Sequence, residues 1–308
     1  MRIAIIGAGA MGSIFGSMLS AVSDVYLIDP YEEHVKAINE RGLIVEQTDR
    51  TSANFSLFAA TDTSQVKPGI ELAIIFTKSY MTAQAAQTAL PLLGKNGLML
   101  TLQNGLGNMD LIAEIAGKQR TIAGVTSHGG TLVGPGHVRH AGKGSTYIAP
   151  ASSTPHSLEH IKKIFQAAEI ETFISQNLDT LIWGKLIINV GINALAAILQ
   201  VPNGILSITP ESEKIMKQAV DEAVSIAKAL NIELPYEKPV EQVKTVCKNT
   251  FANHASMLQD ILRGANTEIG VINQAIVKKG KELSIETPCN KFLSEIIEAL
   301  EATAKNRI

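Results

Sequence analysis

Residues 2–29 read RIAIIGAGAMGSIFGSMLSAVSDVYLID, and this stretch decides the fold of the N-terminal half. The apolar run at 2–7 is typical of a buried strand, and the run at 24–29 has the same character. Residues 10–21, between them, have the composition and length of a helix. The stretch therefore predicts a strand, a helix and a second strand parallel to the first.

Three glycines follow the first predicted strand with the spacing GxGxxG. At a turn from a buried strand into a helix, this spacing is typical of dinucleotide-binding domains. The first glycine permits a tight turn, the second lets the backbone approach a pyrophosphate, and the third lets helix and strand pack closely. The helix N-terminus adds N–H donors for phosphate. A turn that binds nothing is the alternative; otherwise we expect the cofactor to contact Gly7, Gly9, Ala10, Met11 and Gly12.

Asp29 ends the second predicted strand, 22 residues after Gly7. A carboxylate there can accept hydrogen bonds from both ribose hydroxyls of NAD, and it would repel the 2′-phosphate of NADP. No arginine follows at once, since the next residues are Pro-Tyr-Glu-Glu. The sequence therefore favours NAD and leaves NADP possible. A plain turn at the end of the strand is the other interpretation of Asp29.

Length and composition limit the remaining possibilities. With 308 residues, two domains are expected. The net charge is −2, so nucleic acid and anionic membranes are poor partner candidates. The two cysteines, Cys247 and Cys289, lie far apart; they exclude a disulfide framework, give no indication of a metal site and suit the cytoplasm. The N-terminus resembles a signal peptide, but its glycine spacing has the meaning given above, and no other uncharged apolar run is long enough to predict a membrane span.

The rest of the chain indicates two different halves. Strands are expected at 71–77 and 98–104, antiparallel ones at 121–130, 137–142 and 145–150, a polar connector at 151–157 and a helix at 160–168. Beyond residue 177 the pattern predicts helices at roughly 178–199, 211–230, 237–248, 252–280 and 289–305. We therefore expect an α/β fold, with a Rossmann-type dinucleotide-binding domain over 1–175 and an all-α domain over 176–308.

Two polar residues lie at expected strand ends, where ligands of an open parallel sheet collect. Lys78 follows the strand at 71–77 and could reach the ribose or phosphates of the cofactor. Asn104, before two glycines, could orient nicotinamide or substrate. A solvated lysine and an Asn-Gly turn are the alternatives.

The predicted helices carry a second polar group. Lys185, Asn189 and Asn193 share one face of an apolar helix. Burial lowers the pKa of a lysine and suits it to proton donation near neutral pH. Glu268 lies in an otherwise uncharged stretch, which favours Lys185 as its cationic partner. PNG at 202–204 looks like a helix-ending turn that could present Asn203 to a ligand. Polar residues that satisfy one another between packed helices are the alternative.

Seven segments together resemble the ketopantoate reductase family over nearly the whole chain: GAGAMG, TKSY, QNGLG, WGKLIINVGIN, PNG, SMLQDI and NTEIGVIN. The resemblance implies a Rossmann domain followed by a helical substrate and catalytic domain, here residues 176–308. It also implies reduction of a 2-oxo acid to a D-configured 2-hydroxy acid with NADPH, or with NADH in some branches.

The resemblance assigns roles by position. Lys185 matches the catalytic lysine that protonates the developing alkoxide, and Glu268 matches the carboxylate that supports this lysine and the substrate. Asn104 matches a residue between cofactor and lysine, and Lys78 a lysine on the cofactor side. The positions that match substrate-binding residues are Asn189, Asn193, Asn203 and Ser256.

Two departures from the family pattern bear on specificity. NADPH-using members often carry an arginine after the second strand, where this chain has Asp29 and Pro30. Many members read TEIDYING where this chain has TEIGVINQ, so Gly270 replaces an aspartate.

We expect reduction of a C3-branched 2-oxo acid, foremost 2-dehydropantoate (ketopantoate) to D-pantoate, by a cytoplasmic homodimer. One alternative is an NAD-dependent D-2-hydroxy acid dehydrogenase for acids such as mandelate or 2-hydroxyisocaproate. The other is a non-catalytic dinucleotide-binding sensor.

Overall fold

The computed structural model describes residues 1–152 and 155–306 of the chain. Two compact units divide it. Unit 1 comprises Met1–Gln103 and Gly107–Leu178, and unit 2 comprises Asn104–Leu106 and Asp179–Ile308. Of the connector expected at 151–157, residues 153 and 154 lie outside the described residues.

Unit 1 alternates strands with helices. The strands are β1 (Arg2–Ile6), β2 (Asp24–Ile28), β3 (Leu43–Glu46), β4 (Ser52–Phe55), β5 (Phe58–Ala60), β6 (Ile70–Ile75), β7 (Leu93–Thr101), β8 (Thr121–Thr126), β9 (Gly129–Gly134), β10 (His137–Gly142), β11 (Thr146–Pro150) and β12 (Thr172–Ile174). The helices are α1 (Ala10–Leu19), α2 (Glu32–Arg41), α3 (Thr82–Ala89), α4 (Asn108–Ala116) and α5 (Pro155–Ala167).

The main sheet has the strand order β12-β11-β8-β7-β6-β1-β2-β5. From β8 to β5 every neighbouring pair is parallel, whereas β11 is antiparallel to β8. The chain continues from β1 to β2 on one side and places β6 on the other side of β1. The order therefore reverses between β1 and β6, and ligands of such sheets bind beyond the strand ends at this point.

Alternation along β1 explains why helices cover both faces of the sheet. Ile3 and Ile5 belong to one apolar cluster, which includes Phe15 of α1. Ala4 and Ile6 belong to another cluster, which includes Ala86 of α3. Successive strand residues point to opposite faces, so a strand that is apolar throughout is buried on both. The predicted α/β class of this half is confirmed.

A second, smaller sheet of unit 1 was not predicted. It has the order β4-β3-β10-β9. The run at 121–130, expected as one strand, is two strands in different sheets: β8 pairs with β7 and β11, and β9 pairs with β10. The sequence also did not predict β3, β4, β5 and β12, which have three or four residues each and so show little periodicity.

Unit 2 is helical, as predicted. Its helices are α6 (Leu178–Leu199), α7 (Asn203–Leu206), α8 (Pro210–Ala229), α9 (Pro239–Asn249), α10 (Ser256–Leu262), α11 (Asn273–Leu283) and α12 (Pro288–Ala302). α6 packs closely on two others at Gly191, where a Cβ would lie 2.9 Å from side-chain carbons of both Val220 in α8 and Val243 in α9.

The single helix expected over 252–280 is wrong. α10 ends in a Schellman motif, in which the N–H of Ala265 donates to the carbonyl of Asp260 and that of Gly264 to Ile261. Gly264 has a φ of +65°, which favours glycine and stops the helix. The stretch between Gly264 and α11 is therefore a loop that contains one short 3-10 turn, Ile269–Val271, and Glu268 lies directly before that turn.

Within the described residues, α6 alone is long and apolar enough to cross a membrane by length and composition. It is not an uncharged run, since it carries Asp179 and Lys185. Of its most apolar window, 67% is buried inside the protein, which is the burial expected of a core helix.

Candidate active site

The glycine loop of unit 1 joins β1 to α1. Gly7 has a φ of +93°, and a Cβ there would lie 2.6 Å from the backbone nitrogen of Thr77, just beyond β6. A Cβ at Gly12 would lie 2.0 Å from the carbonyl oxygen of Gly7. At Gly9, by contrast, a Cβ would meet nothing within 4 Å. Gly7 and Gly12 thus permit close packing, whereas Gly9 borders open space at the start of α1, where a pyrophosphate would find N–H donors.

The other expected cofactor residues of this region adjoin the loop or end the second strand. Ala10 and Met11 are the first two residues of α1, and both are half-buried. Asp29 follows β2 and is also half-buried. Its Oδ1 accepts a hydrogen bond from the N–H of Tyr31 at 2.9 Å, so the carboxylate does form a turn. Its ribose-binding role stays a prediction.

At the ends of β6 and β7, the structure adds a residue that the sequence analysis missed. The amide nitrogen of Gln103 donates to the carbonyl of Thr77 at 2.8 Å and to Oγ1 of Thr82 at 2.9 Å. Its amide oxygen accepts from Oγ1 of Thr101 at 2.9 Å. Gln103 therefore links the two strand ends and the peptide that precedes Lys78, which is half-buried. The available signal was a Gln-Asn pair directly after an apolar strand.

In unit 2, Lys185 lies on α6 between residues of the apolar core. It is half-buried, while Leu186 and Ile187 beside it are buried. Burial lowers the pKa of Lys185 to about 8, and the negative charge of Glu268 opposes that shift. The lysine therefore holds its proton at pH 7 far less tightly than a solvated lysine does.

The helix turn that carries Lys185 is covered by a loop. A Cβ at Gly184 would lie 2.6 Å from Cγ of Pro235, so only glycine fits there without displacement. The hydroxyl of Tyr236 donates to the carbonyl oxygen of Gly184 at 2.7 Å. Burial raises the pKa of Tyr236, so this hydroxyl stays protonated and keeps donating.

Glu268 lies in the loop between α10 and α11 and is 8% exposed. Its neighbours fix the loop: the N–H of Thr267 donates to Oε1 of Glu301 at 2.6 Å, and the N–H of Ile269 donates to Oγ1 of Thr267 at 3.1 Å. Gly270 is exposed, and a Cβ there would meet only Oε1 of Gln274, at 3.6 Å. The local backbone would therefore accept the aspartate that is common at this position in the resemblance.

The segment Asn104–Leu106 belongs to unit 2, although it directly follows a strand-end residue of unit 1. The side-chain nitrogen of Asn104 lies 3.5 Å from Oε2 of Glu268. The N–H of Leu106 donates to the carbonyl of Val271 at 3.1 Å. A Cβ at Gly105, whose φ is +86°, would lie 2.4 Å from Cγ2 of Val271. The glycine thus lets the segment bind the Glu268 loop and brings Asn104 to the carboxylate.

The expected substrate residues differ in burial. Asn189 is half-buried and Asn193 is buried, one and two turns after Lys185 on α6. Ser256 is exposed and begins α10. Asn203 is buried and donates to Oγ1 of Thr250 at 3.0 Å, while its Oδ1 has no hydrogen-bond partner among the described residues.

The sequence suggested that PNG at 202–204 is a helix-ending turn, but in the structure these residues begin a helix. α6 ends at Leu199, and Pro202 is the N-cap of α7. The extended backbone that a proline N-cap provides explains the difference. Because a Cβ at Gly204 would lie 2.1 Å from the ring of Phe251, the glycine is required by packing.

Chemically, unit 2 offers an acid and a carboxylate that influence each other. A lysine with a pKa of about 8 can give its proton to an oxygen that gains negative charge. Unit 1 offers a glycine loop suited to a dinucleotide. Among the residues that the structure describes, no group of three or more His, Cys, Asp or Glu side chains could hold a metal ion.

Comparison with protein families gives two matches. Residues 3–153 match the family described as ketopantoate reductase PanE/ApbA, and residues 177–301 match its C-terminal counterpart. The chain is 36% identical over 304 residues to a 2-dehydropantoate 2-reductase of Pyrococcus abyssi, with 98% of each chain covered. It is 34% identical over 299 residues to one of Halobacterium salinarum, covering 96% of this chain and 98% of the relative.

Solved structures give two further likenesses. A PanE/ApbA family ketopantoate reductase from Ralstonia eutropha JMP134 superposes with a TM-score of 0.91 at 34% identity, covering 99% of this chain and 100% of that one. D-mandelate dehydrogenase with NADH and anilino(oxo)acetate gives a TM-score of 0.91 at 31% identity, with the same coverage.

Proposed function

The chain belongs to the ketopantoate reductase family, and from that premise we propose that it reduces the C2 carbonyl of 2-dehydropantoate to D-pantoate. It is an NAD(P)-dependent oxidoreductase. One observation supports both the substrate and the chemistry. The interacting pair Lys185 and Glu268 occurs in a chain that is similar over nearly its whole length to 2-dehydropantoate 2-reductases.

The glycine loop fits a nicotinamide dinucleotide. Gly9 leaves the space that a pyrophosphate needs, and α1 supplies N–H donors there. When bound, the reduced nicotinamide supplies a hydride to the carbonyl carbon of the acid. The residues that we assign to the cofactor are Gly7, Gly9, Ala10, Met11, Gly12, Asp29, Lys78 and Asn104.

Lys185 acts as the general acid in this proposal. As the carbonyl carbon gains a hydride, the oxygen gains negative charge, and the ammonium of Lys185 donates a proton to it. The product is a hydroxyl group, and the lysine is protonated again from solvent. Burial makes Lys185 acidic enough to donate near neutral pH, while the charge of Glu268 keeps it protonated at pH 7.

Polar side chains of α6, α7 and α10 orient the acid in this proposal. We assign the substrate's carboxylate and hydroxyl to Asn189, Asn193, Asn203 and Ser256. Among the described residues, the buried Oδ1 of Asn203 has no hydrogen-bond partner, which supports a polar ligand at this side chain. Asn104 would orient the groups around the reacting carbonyl, with Glu268 holding its amide.

We propose NADH as the preferred cofactor. Asp29 directly follows β2, and the acidic residues Glu32 and Glu33 lie in the first turn of α2, so a 2′-phosphate would meet negative charge there. Substituting Asp29 by alanine should weaken NADH binding and lower the preference for NADH over NADPH by about tenfold, since one carboxylate–phosphate repulsion is removed. The test is a comparison of kcat/KM for the two cofactors.

An NAD-dependent D-2-hydroxy acid dehydrogenase is a second candidate. The likeness to D-mandelate dehydrogenase with NADH favours it, and so does Asp29. In that case the acid would carry an aryl or a branched aliphatic group. Either enzyme is expected in the cytoplasm as a homodimer, which size-exclusion chromatography with light scattering can test.

A six-way assay separates the candidates. Ketopantoate, benzoylformate and 2-ketoisocaproate are each offered with NADH and with NADPH, and kcat/KM is measured for every pair. The highest kcat/KM for ketopantoate supports the proposal. A clear preference for benzoylformate or 2-ketoisocaproate with NADH would favour the second candidate. Tight NADH binding without turnover of any acid would overturn both and indicate a sensor.

A further inference from the structure

His34 lies in a chain of hydrogen bonds that ends at the glycine loop. It is the third residue of α2 and 1% exposed. The backbone N–H of Gly136 lies 2.9 Å from its Nδ1. Its Nε2 lies 3.2 Å from Oγ of Ser13, and that Oγ lies 2.6 Å from the carbonyl oxygen of Ala8.

The chemistry of these atoms fixes the direction of every bond. A backbone N–H can only donate, so Nδ1 of His34 must be the nitrogen without a proton. Nε2 therefore carries the proton and donates it to Ser13. The hydroxyl of Ser13 then donates to Ala8, whose carbonyl can only accept. Burial lowers the pKa of His34 and so favours the neutral ring that this chain requires, while the charge of Asp29 opposes the shift.

The last bond of the chain orients a cofactor donor. The peptide between Ala8 and Gly9 is trans and planar, so its carbonyl and its N–H point in opposite directions. Because Ser13 holds the carbonyl of buried Ala8, the N–H of Gly9 is turned away from that contact. Gly9 is also the loop glycine with open space around it.

We propose that His34 is a positioning residue for the dinucleotide: through Ser13 it fixes the Ala8–Gly9 peptide so that the N–H of Gly9 is presented to the pyrophosphate. The inference rests on the proposed function only in taking this loop as the dinucleotide site. If the inference is correct, α2 contributes to the affinity for the cofactor through His34, without providing an N–H group that contacts the phosphates.

Three substitutions test the hydrogen bonds between His34 and Ala8 one at a time. Ser13→Ala removes the bond to Ala8. His34→Asn places an amide oxygen near the position of Nδ1 and loses the donor to Ser13. His34→Gln places an amide nitrogen near the position of Nε2 and keeps that donor. Ser17→Ala is the matched control, because Ser17 is a buried serine of the same helix whose hydroxyl, among the described residues, donates to the carbonyl of Ile14 and not to the glycine loop.

The full-length chain is titrated with NADH by fluorescence, and steady-state kinetics and Tm are measured in parallel. We expect Ser13→Ala and His34→Asn to raise the Kd for NADH about fivefold to tenfold, the usual effect of one lost hydrogen bond. The loss should fall on the KM for NADH more than on kcat. His34→Gln should recover most of the affinity, and Ser17→Ala should leave the Kd at the wild-type value.

The outcomes are distinct. A lower Tm with an unchanged Kd in both Ser13→Ala and His34→Asn would overturn the inference, because these hydrogen bonds would then stabilise the fold without affecting NADH binding. Equal losses in His34→Asn and His34→Gln would also overturn it. If the wild type binds NADH but reduces no oxo acid, the proposed function fails while the Kd comparison stands. If the wild type binds neither NADH nor NADPH, both fail.

Discussion

The glycine loop and the Lys185 region handle buried polar groups in opposite ways. In the glycine loop the polar atoms are backbone groups and neutral side chains, and the critical residues are those that lack a side chain, such as Gly7 and Gly12. In unit 2 the groups to which we assign the chemistry are two ionisable side chains, Lys185 and Glu268. The first site should therefore fail through sterics, and the second through charge.

The largest expected effect is on the charged site. Lys185→Ala should lower kcat by about 10²-fold or more, the usual scale for loss of a positioned acid. Kd for NADH should change little, because the glycine loop is in unit 1. Lys217→Ala, which removes an exposed lysine of α8, is the control and should keep wild-type kcat. Near-normal turnover of Lys185→Ala would sink the assignment of Lys185 as the acid.

Two alanine substitutions test whether the glycine loop fails through sterics. The methyl of Gly12→Ala would lie 2.0 Å from the carbonyl oxygen of Gly7, so the backbone must shift, and we expect a loss of about 1–3 kcal/mol in the free energy of unfolding. In Gly9→Ala the methyl meets no protein atom within 4 Å, so stability should stay as in the wild type.

The same pair tests ligand binding, measured by thermal unfolding and NADH titration together. The methyl of Gly9→Ala would occupy the space that we assign to the pyrophosphate. Its Kd for NADH should therefore rise by about tenfold while its Tm is unchanged. Wild-type affinity in Gly9→Ala would mean that the phosphates do not approach the loop at this glycine.

The contrast also explains what the sequence could predict. β1, α1 and β2 differ from their predicted bounds by at most two residues, because an apolar strand, a glycine turn and a helix are local patterns. The positions of Gly7, Gly9 and Gly12 could be interpreted in the same way, since the spacing itself states which glycine must approach which backbone.

The Glu268 loop could not be predicted in this way. Its residues looked like part of one helix over 252–280, because the apolar pattern continues on both sides of it. The sequence contained the signal for the break, an Arg-Gly pair at 263–264 after a short helix, but only the left-handed Gly264 shows that it is used. That Asn104–Leu106 binds this loop depends on residues more than 160 positions apart, and no local pattern encodes it.

A smaller effect is expected from the charge of Glu268. Its carboxylate raises the pKa of Lys185 against the effect of burial. Removing that charge in Glu268→Gln should lower the pKa of Lys185 below its value of about 8. The acid works in its protonated form, so kcat for reduction falls as pH rises through this pKa. We therefore expect the alkaline limb of the kcat profile to move to lower pH, with a severalfold loss at pH 8.

A matched variant separates charge from position in that experiment. Glu301→Gln removes a carboxylate that holds the same loop through the N–H of Thr267, but an amide oxygen can still accept that bond. Its alkaline limb should stay where it is in the wild type. A shift of equal size in both variants would show that loop position, not the charge of Glu268, sets the limb.

The smallest predicted effect is a loss of protein stability at acid pH, caused by a pair of buried histidines in unit 1. Nδ1 of His128 lies 2.9 Å from Nε2 of His140, and both side chains are buried. Burial, the neighbouring histidine and Lys143 lower the pKa of His128 to about 4, and burial and Lys143 also lower that of His140. Two histidines that share one proton this way are held neutral in the folded protein.

The sign of the pH dependence follows from the lowered pKa. Below about pH 6.5 the unfolded chain binds protons that the folded chain does not, so stability falls from there until the folded histidine titrates near pH 4. At pH 5.5 His128 alone should cost roughly 1 kcal/mol relative to pH 8. Urea unfolding at both pH values should show a smaller difference in His128→Asn than in the wild type, whereas His160→Asn, which alters an exposed histidine, should match the wild type. If His128→Asn loses as much stability on acidification as the wild type does, the acid sensitivity comes from other groups.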